Sequence, residues 1–119
     1  MKKRLLVFAL VISVMALAIG CQPASKDTQD DKPYIAIIAL GYGHQFWQAV
    51  RQGAEEAAKD YNVRITFEGP EEETMVDKQV DMLKTALANN PAAVALAAID
   101  VESVTGILKD AKAKGIRIV

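Results

Sequence analysis

YIAIIALGYGHQFW, residues 34–47, is the stretch on which the fold turns. Tyr34 to Leu40 is an unbroken apolar run rich in isoleucine, the pattern of a strand covered on both faces. Gly41-Tyr42-Gly43 breaks the run. Apolar residues then return at Phe46, Val50, Ala54, Ala57 and Tyr61. Those spacings of four, four, three and four lay one stripe along a helix. A buried strand that turns within a few residues into a helix opens a β-α-β unit.

The same alternation continues to the last residue. Asn62 suits a left-handed helix stop. Val63, Ile65 and Phe67 alternate with Arg64 and Thr66, which predicts a strand with one wetter face near a sheet edge. Gly69-Pro70 ends it. Glu71, Glu72 and Glu73 precede a second helix, where negative charge suits the amide end, and Val76, Val80, Leu83 and Leu87 give its buried face. Asn89-Asn90-Pro91 stops that helix. Ala92 to Ile99 reads as a third strand, followed by Asp100 and a stripe of Val101, Val104, Leu108 and Ala111. Gly115 closes this helix, and Ile116 to Val119 opens a fourth strand. The order β-α-β-α-β-α-β predicts an α/β fold with a parallel sheet, right-handed crossovers and helices on both faces, a flavodoxin-like lobe. A strand at Val119 with no helix behind it makes residues 34–119 read as an incomplete lobe.

Residues 1–33 read differently. Lys2, Lys3 and Arg4 are followed by fifteen uncharged residues, Leu5 to Ile19. A bilayer span needs about 20 apolar residues, so residues 1–20 have the layout of a secretory signal peptide, ahead of an uncleaved anchor helix as the alternative. Ala18-Ile19-Gly20-Cys21 resembles the lipobox of bacterial lipoproteins, which implies cleavage before Cys21, lipid on its sulfur and attachment to a membrane. Two acyl signals suffice for stable anchoring. Residues 21–33 hold no large apolar side chain and read as the lipidated cysteine and a flexible tether.

Composition excludes several classes. Fourteen basic and 15 acidic residues leave a net charge of −1. After removal of residues 1–20, 11 basic residues face 15 acidic ones, a net −4. Such a surface carries no footprint for nucleic acid. The single cysteine leaves no intrachain disulfide and no cysteine zinc site, and His44 is the single histidine. No nucleophile stands in a serine, histidine and acid arrangement, and the chain does not read as an enzyme.

In open parallel sheets ligands bind beyond the carboxyl ends of the strands, which here are the loops 41–47, 68–73 and 98–102. Gly41-Tyr42-Gly43-His44-Gln45-Phe46 carries two of the three glycines of a dinucleotide fingerprint, but Phe46 stands where the third would allow close helix packing. Tight turning alone accounts for the two glycines. As a sugar site the same loop offers flat rings at Phe46 and Trp47, one indole donor, and His44 as donor or acceptor. Phe46 lies on the apolar stripe, so it is assigned to the core and Trp47 or His44 to the cleft. Asp100 suits two adjacent hydroxyls, or the N-cap of the helix behind it, or one oxygen for each. The Glu71–Glu73 run reads as a solvated helix start rather than a metal site.

With those segments in view, residues 34–119 resemble the first lobe of periplasmic sugar-binding proteins of ribose-binding type, the receptors of ABC importers in the periplasmic binding protein-like I superfamily. The resemblance is carried by His44-Gln45-Phe46-Trp47 with Gly53-Ala54, by Asp77-Lys78-Gln79-Val80-Asp81, by Ala97-Ala98-Ile99-Asp100 and by Ala113-Lys114-Gly115-Ile116. It implies two α/β lobes joined by a hinge, with a small sugar or similar polar solute between them and the second lobe lacking here. It also implies His44 as the first-loop polar contact, Phe46 and Trp47 as stacking rings, and Asp100 as the acid for sugar hydroxyls. No cofactor is implied; an ABC permease and a monomeric receptor are. His44 stands where ribose binders often carry asparagine, which points away from ribose itself. Repressors of the lactose-repressor type share the lobe but carry a helix-turn-helix where this chain carries a signal sequence. A receptor for a sensor kinase or chemoreceptor, a truncated non-functional copy and half of a nucleotide-dependent enzyme are the alternatives.

Overall fold

The computed structural model describes residues 31–119; the signal segment, the lipobox and Cys21 lie outside them. Four strands and three helices alternate: β1 (Tyr34–Ile38), α1 (Gln45–Asp60), β2 (Arg64–Glu68), α2 (Val76–Ala88), β3 (Ala93–Leu96), α3 (Val101–Ala113) and β4 (Arg117–Ile118). The strands are shorter than their apolar runs, although backbone bonds from the Ala39 N–H to the Glu68 carbonyl and from the Ala97 N–H to the Ile38 carbonyl continue just beyond them. The sheet is parallel throughout, in the order β2-β1-β3-β4. β2 is therefore an edge, as its polar alternation predicts. Pro33, read as part of the tether, instead belongs to the sheet margin: its carbonyl accepts the Arg64 N–H at 2.9 Å.

Right-handed crossovers in this order put α1 on one face and α2 with α3 on the other. The α2–α3 face holds the core. Tyr34, Ala36, Ile38 and Val94 of the sheet pack there with Leu83, Ala86 and Val104. The Tyr34 hydroxyl shares a 2.8 Å hydrogen bond with Thr66, and the Arg64 guanidinium lies over its ring at 4.1 Å. Three positions predicted to stop a segment do adopt positive φ: Asn62 at 52°, Asn90 at 49° and Gly115 at 86°.

The α1 face differs from the sequence reading. Phe46 is 66% exposed, and Val50, Ala57 and Tyr61 are exposed as well. The residues of α1 that are half covered are Trp47, Arg51, Ala54 and Ala58, a stripe rotated by one position. Phe46 is thus not a core residue. Val101 likewise leaves its predicted stripe and is 68% exposed at the head of α3, although Val104 and Ala111 behind it are buried.

Candidate functional site

The strand order reverses direction at β1, which has β2 on one side and β3 on the other. The loops after β1 and β3 leave from neighbouring strands toward opposite faces, and they open a crevice between them. His44, Phe46 and Trp47 follow β1, and Asp100 follows β3. All four residues singled out from the sequence therefore stand on one edge of the sheet, on the two loops that flank the switch point.

His44 is the N-cap of α1 but makes no side-chain cap bond, so its imidazole remains available. Phe46 and Trp47 meet edge to face, with ring centroids 5.0 Å apart and planes at 81°. Gln48 secures the loop by donating from Nε2 to the Tyr42 carbonyl at 2.7 Å. Arg51 donates to the Tyr42 hydroxyl and, at 2.7 Å, to Glu55. These bonds occupy the one arginine of α1, and the Glu55 bond, then the Tyr42 field, raise its pKa above the ordinary value.

A fifth residue enters that sequence spacing did not single out. Glu73, from the loop before α2, accepts from the Trp47 indole N–H at 3.4 Å and lies 4.0 Å from His44 Nε2. Its approach requires Gly41: a Cβ at that position would stand 2.8 Å from Glu73 Cγ. The glycine that reads as a turn residue is there for clearance as well. Among the described residues, no three acidic, histidine or cysteine side chains converge as a metal-binding set, the glutamate run included.

Of the two roles left open for it, Asp100 takes that of the helix cap. Its Oδ2 accepts both from the Ser103 N–H, at 2.8 Å, and from the Ser103 hydroxyl. That caps α3 through one oxygen and leaves Oδ1 for a second partner. The Ser103 hydroxyl bond, then its backbone bond, hold the Asp100 pKa below the ordinary aspartate value. A depressed folded-state pKa stabilises the fold fully above the unfolded value, and that stabilisation fades as pH falls through the folded one. The expected result is a carboxyl titration of Asp100, followed by carbon NMR, with its midpoint below the ordinary aspartate value. Ser103→Ala raises that midpoint. An unchanged midpoint in that variant would dismiss the Ser103 hydroxyl as its main cause.

A hollow of about 570 Å3 lies elsewhere, between the last turns of α2 and α3, beside Lys84, Leu87, Ile107 and Lys114. It carries no aromatic ring and sits at the amino edge of the strands, away from the crevice.

The strand order and the crevice at its reversal define the class: an open, parallel α/β lobe. Residues 35–119 match the model of the periplasmic binding protein domain, and the chain belongs to that family. Several solved structures are similar. A carbohydrate transporter solute-binding protein from Agrobacterium radiobacter, in complex with D-arabinose, shares 31% identity with a TM-score of 0.68, over 74% of this chain and 30% of that one. An ABC transporter solute-binding protein from Agrobacterium vitis, bound with α-D-tagatopyranose, shares 30% identity with a TM-score of 0.67, over 73% and 29%. A Brachyspira murdochii protein described as an ABC transporter, LacI family transcriptional regulator shares 40% identity with a TM-score of 0.64, over 75% and 28%. The chain spans about 30% of the length of these proteins.

Proposed function

We propose that residues 34–119 form one wall of the cleft of an extracytoplasmic sugar receptor that serves an ABC importer. The observation that carries this reading is the edge-to-face pair of an exposed Phe46 and a half-covered Trp47 beside His44, across the switch point from an Asp100 with one uncommitted oxygen. A sugar offers both counterparts. Its C–H face packs on an aromatic ring, and vicinal hydroxyls donate to a carboxylate. Phe46, being exposed, serves the cleft together with Trp47. Relatives in complex with D-arabinose and with tagatopyranose support a monosaccharide of this kind. A second α/β lobe closes over the solute, lipid on Cys21 holds the receptor at the membrane, and it works as a monomer that meets a permease and not nucleic acid.

A well-formed site buries about 70–90% of its ligand, and one wall cannot. The 119-residue chain alone is therefore expected to bind monosaccharides weakly, with no saturation at micromolar concentration, in a titration that follows the emission of Trp47. The same lobe joined to a second one, at the length of the relatives, saturates in that range. Micromolar saturation of the 119-residue chain would refute the two-walled cleft. A two-lobed receptor that binds none of a panel of pentoses and hexoses would refute the sugar.

A further inference from the structure

We propose that Gln79 is a positioning residue of the cleft, a buried joint that sets the loops after β1 and β3 relative to one another. Gln79 stands in the first turn of α2, is 1% exposed and points at the sheet where β1 and β3 part. The last backbone rung between those strands runs from the Ala97 N–H to the Ile38 carbonyl, at 2.9 Å. Beyond it the side-chain amide takes over. Nε2 donates to the Ala39 carbonyl at 3.0 Å and to the Ala97 carbonyl at 2.8 Å, and Oε1 accepts the Ile99 N–H at 2.8 Å.

Both amide hydrogens and one acceptor position are used, so the orientation is fixed: a flipped amide would aim its oxygen at two carbonyl oxygens and its N–H at the Ile99 N–H. The groups held are informative. Ala39 leads into the Gly41–Trp47 loop, Ile99 immediately precedes Asp100, and α2 follows the loop that carries Glu73. One buried side chain thus fixes the separation of the aromatic pair from the carboxylate at the point where backbone pairing no longer can. A buried polar group satisfied in this way specifies one arrangement of its neighbours, which an apolar residue of equal volume does not.

The consequence for binding rests on the sugar-receptor reading, and the test keeps the two apart. Gln79→Met preserves volume and removes all three bonds. Val104→Ala, a fully buried core change on α3 outside this joint, serves as the destabilised control. In proton–nitrogen spectra of the full chain, Gln79→Met shifts the Trp47 indole and Asp100 amide signals, and the Ile99 amide exchanges at least about tenfold faster than that of Leu96, corrected for the global change. Val104→Ala leaves the Trp47 indole signal and the corrected Ile99 exchange in place. In a two-lobed receptor, Gln79→Met weakens sugar binding at least about tenfold, whereas Val104→Ala stays within about twofold. Gln79→Glu keeps the acceptor for Ile99 but turns a carboxylate on two carbonyls unless it is protonated, so its binding recovers in part from pH 8 to pH 5; it replaces the methionine variant if that one does not fold. Unmoved Trp47 and Asp100 signals in the Gln79 variants, or sugar affinity equal to the control, overturn the proposal. A wild-type receptor that binds no sugar overturns the sugar reading alone, and the spectra still decide the role of Gln79.

Discussion

Leu83→Ala is expected to remove about 3–4 kcal/mol of stability, the range for a fully enclosed leucine whose surroundings cannot collapse. Leu83 is 0% exposed and lies in the cluster with Ile38, Val94 and Val104, where α2 crosses the centre of the sheet. The neighbours that would have to relax into the void are a strand backbone tied by parallel ladders on both sides and a second helix. Neither moves freely. At about 4–8 °C per kcal/mol for a domain of this size, the melting temperature falls by roughly 15–25 °C. Urea unfolding of the full chain checks this: the midpoint drops while the slope holds, since the surface exposed on unfolding is nearly the same. Val80→Ala, one turn earlier and only half-buried, costs about 1 kcal/mol. Equal losses in the two variants would mean that the core is not centred under α2.

The position of Leu83 was legible in the sequence, and so was most of the architecture. Unbroken apolar runs at 34–40 and 92–99 can only be strands covered twice, and the polar alternation at 63–67 can only face water, so the order of centre and edge followed from the pattern. Asn62 and Gly115 marked helix stops because few residues tolerate positive φ.

The rotation of α1 was not legible, for a physical reason. Two stripes compete along that helix, one through Phe46, Val50 and Ala57, the other through Trp47, Arg51 and Ala58, with Ala54 close to both. Hydropathy favours the first. The second wins because Trp47 and Arg51 cover apolar surface with ring and methylenes while their polar ends reach Glu73, Glu55 and Tyr42. Glu73 escaped because a loop has no period to betray which of three consecutive glutamates meets Trp47. Gln79 was within reach: positions 79, 83 and 86 form one helical stripe, and a polar residue on a buried stripe calls for partners on the backbone it faces.

Trp47→Ala, in a receptor with both walls of the cleft, is expected to weaken sugar binding by roughly fiftyfold to hundredfold. Removing the contact of an indole face with a pyranose exposes on the order of 100 Å2 of apolar surface, about 2.5 kcal/mol, and each 1.4 kcal/mol is a decade in affinity. Trp47 is the single tryptophan, so the variant has lost its own fluorescent report and calorimetry must supply the affinity. Folding is not expected to suffer much, because Trp47 is only half covered at the rim. Trp47→Phe keeps a stacking face but frees the Glu73 oxygen that the indole N–H holds, and it weakens binding by only about fivefold if the ring, rather than its donor, meets the sugar. Asp100→Asn separates the other wall into its two duties. Asparagine caps a helix about as well as aspartate, so α3 keeps its start. The charge that strengthens bonds from sugar hydroxyls is lost, and affinity drops by roughly tenfold without a matching loss of melting temperature. If Trp47→Ala and Asp100→Asn both leave the affinity intact, the carboxyl edge of this sheet is not where the solute binds; if Asp100→Asn lowers stability and affinity together, Asp100 acts through the helix it caps and not on the sugar.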